Sequence, residues 1–548
     1  MAGPQHRWFF LAHAVAFTGT AISLFGFAHM RWWTLVFLVP LVFYAGETLL
    51  SLRTSTYRRR IDLADHVATV ENWAPDRYPS VDVFLPTAGE DLELLENTYR
   101  YVDTIAYQGR VRVHVLDDLA RPEVERLAAQ WGFDYFARPT HELKKAGNLR
   151  YAFDRTDGDQ ILILDADFVP RHDILTDLVP YMDDPAIGIV QSPQYFPTPK
   201  SMGWIERAAG ATQEMFYRFI QPSRDAVGAA ICVGTSALYR REALEAMGGF
   251  PKISHSEDVY TGLELLKIGY QTRYVPVNAT QGICPDGIDP FITQQYRWCE
   301  GSMEMLKNRE LSGSTAVTGA QRLSFWSGFF YYLSTAVNVF FAPIPLLVMV
   351  WLFPQDVHPL NMLPLVGVLT LWLVVYPLVM RSRWRLDVVR VQVIYGFTHA
   401  RAIADVFFGK PAAWVPSHGA NQATPLAVSV KRLMTGYLST TVGLTLVGIA
   451  YQLAKAENTL ADWWALLAFV AVNLYVFGPV VTRSASTLVA DSRAARRDRR
   501  TVQPALAPVT VPMPIGATLP ELLVPNTVRT PNTAFYESGL TTANGDRR

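Results

Sequence analysis

Two carboxylates at the end of an apolar run, Ile161-Leu162-Ile163-Leu164-Asp165-Ala166-Asp167, carry the strongest chemical signal in this sequence. On an extended strand alternate side chains share a face, so Asp165 and Asp167 are expected to point the same way. At the carboxyl end of a buried parallel strand, where open α/β sheets bind ligands, such a pair could hold a divalent metal against a phosphate. The same residues also suit a polar loop that merely ends a strand.

Three other groups offer chemistry. Lys145, in the Gly-containing turn before Asn148, could neutralise a phosphate or contact a nucleotide; the alternative is a solvated lysine at a helix start. Ser256-Glu257-Asp258 opens a helical stretch predicted over Val259–Ile268. Ser256 is placed there as N-cap and Asp258 in the first turn, at the positive end of the helix dipole, where an acid is also simply favourable capping. In Gln294-Gln295-Tyr296-Arg297-Trp298 a guanidinium could grip a diphosphate bidentately while the indole offers a face to a sugar ring. An Arg-Trp pair at a membrane surface can also be a plain interfacial anchor.

The elements that must position these groups follow from periodicity. Val81–Pro86 reads as a strand, Asp91–Ile105 as a helix, and Val111–Leu116 as a second strand ending in Asp117-Asp118. Helical patterns at Pro122–Gln130 and Leu143–Phe153 then alternate with short strands up to Asp165, which predicts a mostly parallel sheet with helices on both faces. Three strands ending in polar or acidic residues at one sheet edge are how a nucleotide site is normally built, although each acidic end taken singly is more often an ordinary turn.

With 548 residues, 50% of them apolar, and 14 Trp, the chain reads as a membrane protein with a large soluble part. Lys+Arg and Asp+Glu are equal at 49 each, so bulk charge suggests no nucleic-acid partner. Cys232, Cys284 and Cys299 have no metal-type spacing, and their expected role is packing. Six spans are predicted, at about Phe9–Phe27, Trp32–Leu50, Thr335–Phe353, Leu363–Met380, Leu438–Ala454 and Trp463–Val481. The first is read as a span and not as a cleavable signal, because a second follows at once. Basic residues after the second, fourth and sixth spans (Arg58-Arg59-Arg60; Arg381, Arg383, Arg385; Arg493 to Arg500) put those sides and both termini in the cytoplasm. Asp387–Phe408 reads as an interfacial helix.

From Val81 to His418 the sequence resembles the processive, membrane-integrated family 2 glycosyltransferases, the family of the bacterial cellulose synthase catalytic subunit. The resemblance rests on seven elements in the family's order: Pro86-Thr87, Asp117-Asp118, Lys145-Ala146-Gly147-Asn148, Asp165-Ala166-Asp167, Val190-Gln191-Ser192-Pro193, Ser256-Glu257-Asp258 and Gln294 to Trp298. It implies a UDP-sugar donor, with Mg²⁺ or Mn²⁺ held principally by Asp167 and by Asp165. It assigns Asp117 and Asp118 to the uridine or ribose, and Thr87, Glu90, Lys145, Asp165, Gln294 and Arg297 to the donor. Trp298 and Glu257 fall to the acceptor, and Asp258 is implied as general base in an inverting transfer. Trp414-Val415-Pro416-Ser417-His418-Gly419 looks like a loose variant of the family's gating loop, or an ordinary Pro- and Gly-containing loop.

Departures from the family are Ala88 in place of an aromatic residue, Leu119-Ala120 in place of a glycine-rich turn, and Ser256 in place of Thr. Arg493 to Arg497 imitates half of a PilZ signature, but the companion Asp-x-Ser-x-x-Gly is missing from the sequence, so a PilZ domain is not expected. A lipid-binding basic cluster and a disordered Pro-, Thr- and Asn-rich tail account for the same residues.

The expectation is thus an α/β GT-A (Rossmann-like, mostly parallel) cytoplasmic domain inserted in an α-helical transmembrane bundle. Its parts are a transmembrane hairpin (1–55), the catalytic domain (56–310), interfacial and C-terminal transmembrane helices (311–482) and a juxtamembrane segment with tail (483–548). The expected activity is polymerisation of a β-linked polysaccharide, cellulose-like glucan first, with hyaluronan, chitin-like or β-1,3-glucan chains as other products. Transfer of one sugar to a lipid, or a catalytically silent export subunit, are the alternatives. Expected partners are the UDP-sugar, the growing polysaccharide, the bilayer of the plasma membrane and an accessory export subunit.

Overall fold

The computed structural model describes residues 7–28, 38–55, 57, 60–363, 365–382, 384–409, 424–455 and 459–501. The strands are β1 Val81–Thr87, β2 Val111–Asp117, β3 Asp134–Ala137, β4 Gln160–Ile163, β5 Phe168–Pro170, β6 Ile187–Gln191, β7 Gln194–Tyr195, β8 Ala237–Arg240, β9 Gln271–Tyr274 and β10 Thr280–Gly282. Seven form one sheet in the order β3-β2-β1-β4-β8-β6-β9, and β5-β10-β7 form a small second sheet. In the large sheet only β8 runs against its neighbours; β3, β2, β1 and β4 are mutually parallel, as are β6 and β9. The predicted mostly parallel sheet is therefore present, with an antiparallel strand that the βαβ pattern did not announce.

Both faces of this sheet are covered, which is why β1 is buried at every residue although its sequence does not alternate. Val83, Leu85, Leu162 and Leu164 enter one apolar cluster, and Phe84, Ile161 and Ile163 enter the other. Parallel register aligns Thr87 with Asp117, and the Leu164 amide donates to the Phe84 carbonyl at 3.1 Å. The carboxyl ends of β1, β2 and β4 consequently lie at one edge.

Among the described residues three helices are long and apolar enough to cross a membrane: Gly319–Leu352, Pro425–Ala454 and Leu460–Ala494. They contain or overlap three of the six predicted spans. The other three fall on shorter apolar stretches, Trp8–Ser23 and Leu365–Val379, and on the Leu38–Ser55 helix. Capping starts the first long helix where the sequence demands it, because Thr318 and Gln321 exchange side-chain-to-amide bonds. The Leu386–Phe408 helix, predicted as interfacial, packs along Ile288–Lys307 and Gly319–Phe341. It buries Arg390, His399 and Asp405. Lys431, fully buried on the Pro425–Ala454 helix, lies 2.7 Å from both Asp289 and Asp491 and so ties the Ile288–Lys307 helix to the last two long helices. The described residues up to Arg493 belong to one compact unit. The Trp414–Gly419 segment with His418, the basic residues Arg58, Arg59 and Arg383, and the predicted tail lie outside the described residues.

Candidate active site

Asp165 and Asp167 stand in a tight turn after β4 and not on the strand, since the Phe168 amide bonds back to the Asp165 carbonyl at 3.0 Å. The strand argument for their common direction is thereby corrected, for the backbone turns before the second carboxylate. Burial still alternates: Ala166 enters the core beneath, its carbonyl held by the Thr98 hydroxyl at 2.6 Å, while the two aspartates are half-buried.

Lys145 comes from the first turn of the Lys144–Phe153 helix, entered through left-handed Leu143 and Lys144. Its ammonium lies 2.5 Å from Asp165 Oδ1, 3.5 Å from Glu257 Oε1 and 3.0 Å from the Gly234 carbonyl. It is therefore no solvated helix-start lysine. Burial pulls its pKa down, but Asp165, Glu257 and Asp258 outweigh that, so the ammonium is held charged. Gly147 and Asn148 in the same motif are structural: a β-carbon on Gly147 would fall 2.2 Å from Arg138 and from the Glu142 carbonyl, and Asn148 donates to the Leu116 carbonyl of β2 at 2.7 Å.

Asp258 lies in the first turn of the Glu257–Lys267 helix, as expected, and the Val259 amide donates to its Oδ1 at 2.8 Å. Burial, then the neighbouring charge of Glu257, push its pKa up to about 7, against the opposing pull of Lys145. Ser256 does precede this helix, but its hydroxyl does not cap it. The residue is left-handed (φ +56°) and its side chain is turned onto Gly301 of the neighbouring helix. The N-cap reading of its hydroxyl is corrected accordingly: a capping residue is normally extended, and this one is left-handed.

The Ile288–Lys307 helix carries Gln294, Arg297 and Trp298 on one face, all three partly exposed. Burial lowers the Arg297 pKa against the combined charge of Asp165, Glu257, Asp167 and Asp258. One guanidinium thus senses all four carboxylates, which come from two distant parts of the chain. A second group gathers at the ends of β1 and β2. Glu90 accepts from Thr87 Oγ1 (2.5 Å) and the Ala88 amide (2.7 Å), and Arg121 donates to Thr87 Oγ1 (2.8 Å) and the Glu90 carbonyl (2.7 Å). Asp117 is fully buried and accepts from the Arg121 amide at 2.7 Å and the Tyr135 hydroxyl at 3.1 Å. Asp118 accepts from Arg138 Nε at 2.7 Å. Ala120 takes the left-handed conformation (φ +52°) at the place of the family's glycine-rich turn.

Sequence reasoning missed Arg121, Arg138 and the Gly234-Thr235 loop. Thr235 Oγ1 accepts the Asp165 amide at 2.9 Å, and left-handed Gly234 (φ +76°) leaves room for Asp258, whose Oδ2 would sit 2.9 Å from an added β-carbon. Buried Gln191 holds that loop, donating to the Thr235 carbonyl at 2.9 Å and accepting the Val233 amide at 2.9 Å. The Val190–Pro193 motif thus acts by positioning. A Gly-Thr-Ser turn before a β-rich run was the available signal. Also missed were His255, Glu300 and Glu304, whose ligand atoms lie within 4.8 Å of one another.

Residues 160–381 match a family model described as "Glycosyl transferase family group 2". The "Cellulose synthase 1" of Komagataeibacter xylinus is 35% identical over 280 residues, which are 50% of this chain and 18% of that protein. The "Cellulose synthase catalytic subunit [UDP-forming]" of Pseudomonas fluorescens (strain SBW25) is 30% identical over 278 residues, 50% of this chain and 38% of that protein. The matched stretch thus spans well under half the length of these curated relatives. Among solved structures, the mannosyltransferase PcManGT from Pyrobaculum calidifontis, in complex with GDP-Man and Mn²⁺, aligns with a TM-score of 0.48 and 16% identity, covering 73% of this chain and 99% of that one. The family match spans β4, the acidic turn, Asp258 and the Arg297 helix within the sheet described above. Residues 160–381 therefore match the glycosyltransferase family 2 domain, on the mostly parallel sheet described above.

Proposed function

We propose that this protein is a membrane-embedded inverting glycosyltransferase that polymerises a β-linked polysaccharide, cellulose-like glucan first, from a UDP-sugar on the cytoplasmic side. The observation that carries the reading is Asp258: a half-buried carboxylate with its pKa pushed up to about 7, within the field of Lys145 and Arg297 and of the acidic turn after β4. The names of the curated relatives, cellulose synthases that form UDP, support the choice of donor and product.

In this reading Asp258 takes the proton from the acceptor hydroxyl as its oxygen attacks the anomeric carbon and the bond to UDP breaks. Lys145 and Arg297 face the charge that collects on the departing diphosphate. Thr87, Glu90, Asp117 and Asp118 shape the nucleoside end, their own hydrogen bonds holding the β1 and β2 loops. Gln294 joins Arg297 on the donor side, while Trp298, with Glu257, lines the acceptor side, where an indole face can hold a sugar ring between additions.

The oxygen donors at the β4 turn suit a hard divalent ion. Asp167 would hold Mn²⁺ or Mg²⁺, with Asp165 beside it, since one Asp165 oxygen is already taken by Lys145. Such an ion, when bound, neutralises diphosphate charge. Membranes containing the protein, given labelled UDP-glucose, UDP-N-acetylglucosamine or UDP-glucuronate with Mg²⁺ or Mn²⁺, test the proposal by product size. A long polymer from UDP-glucose is expected. A single-sugar lipid product overturns processivity, and no turnover of any donor overturns the enzyme reading.

A further inference from the structure

Beside the proposed reaction centre lies a second cluster of metal-type ligands that none of the roles above uses. Glu300 and Glu304 are four residues apart on the Ile288–Lys307 helix and so share one of its faces. His255, from the segment leading into the Asp258 helix, brings its Nε2 to 3.3 Å from Glu304 Oε2. One ligand atom from each of the three residues lies within 4.8 Å of the other two.

Two further observations separate this cluster from a chance gathering of acids. Glu300 is only 4% exposed, and its Oε1 is buried with no hydrogen-bond partner. A buried carboxylate oxygen without a donor is costly, and a cation is the natural group to meet it. The other imidazole nitrogen, Nδ1, is 2.9 Å from Ser254 Oγ, which leaves Nε2 directed at the carboxylates. Metal-binding histidines are commonly held in this way through their second nitrogen. The charges facing the cluster from outside it are the Lys144 ammonium and the Asp405 carboxylate.

We propose that His255, Glu300 and Glu304 bind a first-row divalent metal ion of the Zn²⁺ or Mn²⁺ type, a site distinct from Asp165 and Asp167. One imidazole nitrogen and two carboxylate oxygens suit that class better than Mg²⁺ or Ca²⁺, which favour all-oxygen shells. The ion would clamp the segment entering the Asp258 helix to the helix carrying Arg297 and Trp298. Its binding does not depend on the glycosyl-transfer reading.

The test uses the full chain in detergent, stripped with a chelator, with no nucleotide present and with Asp165→Asn and Asp167→Asn in place to silence the other carboxylates. Zn²⁺ and Mn²⁺ are titrated separately, reading bound metal per protein and the shift in thermal unfolding. About one equivalent of at least one ion should bind and raise the unfolding temperature. Glu304→Gln, which keeps the shape of the side chain and an acceptor for His255, should weaken that binding at least tenfold, as should His255→Ala. If neither ion binds, or if Glu304→Gln binds the ion as well as the parent, the cluster is a proton-sharing network and the metal site is refuted. Should His255→Ala fail to fold, the Glu304→Gln comparison still decides.

Discussion

Ser256 packs against Gly301 so closely that a β-carbon on the glycine would fall 1.7 Å from the serine hydroxyl and 2.5 Å from its own β-carbon. The contact joins the segment entering the Asp258 helix to the helix that carries Arg297. Gly301→Ala should therefore displace Asp258 relative to Arg297 and destabilise the fold by roughly 1–3 kcal/mol, the usual range for overpacking. Ser256→Gly removes both colliding atoms and suits the left-handed backbone at φ +56°. The double variant should recover most of the stability and transfer lost in Gly301→Ala. Equal damage in the single and double variants would rule this contact out as the cause; thermal unfolding and turnover measure it.

Asp258→Asn removes the proposed base with little change of shape. Transfer should fall by about 10²–10⁴-fold, the usual worth of a positioned base, while UDP affinity stays within a few-fold. Turnover at the parent rate in this variant would mean that the proton goes elsewhere.

With Asp258 pushed up to about 7, the base is protonated and idle below that pH and becomes active as pH rises through it. The rate should therefore climb through an ascending limb near pH 7. Lys145→Met removes a positive charge that holds Asp258 down, so the limb should move to higher pH. Rates of parent and variant measured across pH 5–9, about two units to either side of the parent limb, give the comparison. A limb that stays in place would show that Lys145 does not act on the base.

Chelation should abolish transfer, and Mn²⁺ or Mg²⁺ should restore it, because oxygen donors at the β4 turn favour hard ions. Asp167→Asn should raise the metal concentration needed for half-maximal rate by at least tenfold, whereas Asp165→Asn should also free Lys145. Full activity with chelator present would remove the metal from the reaction.

The sheet, its faces and its acidic edge were legible in the sequence because strands and helices announce themselves locally. Apolar runs closed by Asp117-Asp118 and Asp165 mark where β2 and β4 stop, and the first-turn position of Asp258 follows from helix periodicity. Those patterns also located the long apolar helices, since hydropathy is a property of consecutive residues.

What only the tertiary structure decided are contacts between residues that share no local pattern. Lys145 meets the Gly234 carbonyl across 89 positions, and the Asp165 amide meets Thr235 across 70. Ser256 has the right residue type for a cap, yet its left-handed backbone is not the extended one from which a capping hydroxyl reaches the helix amides, and its side chain lies against Gly301 instead. Glu300 and Glu304 are one helical turn apart in sequence, but only the packing of the segment before the Asp258 helix brings His255 to them. Residue types and spacing determined which groups can do chemistry here; the fold decided which of them meet, because long-range approach is set by how elements pack and not by the order in which they are strung.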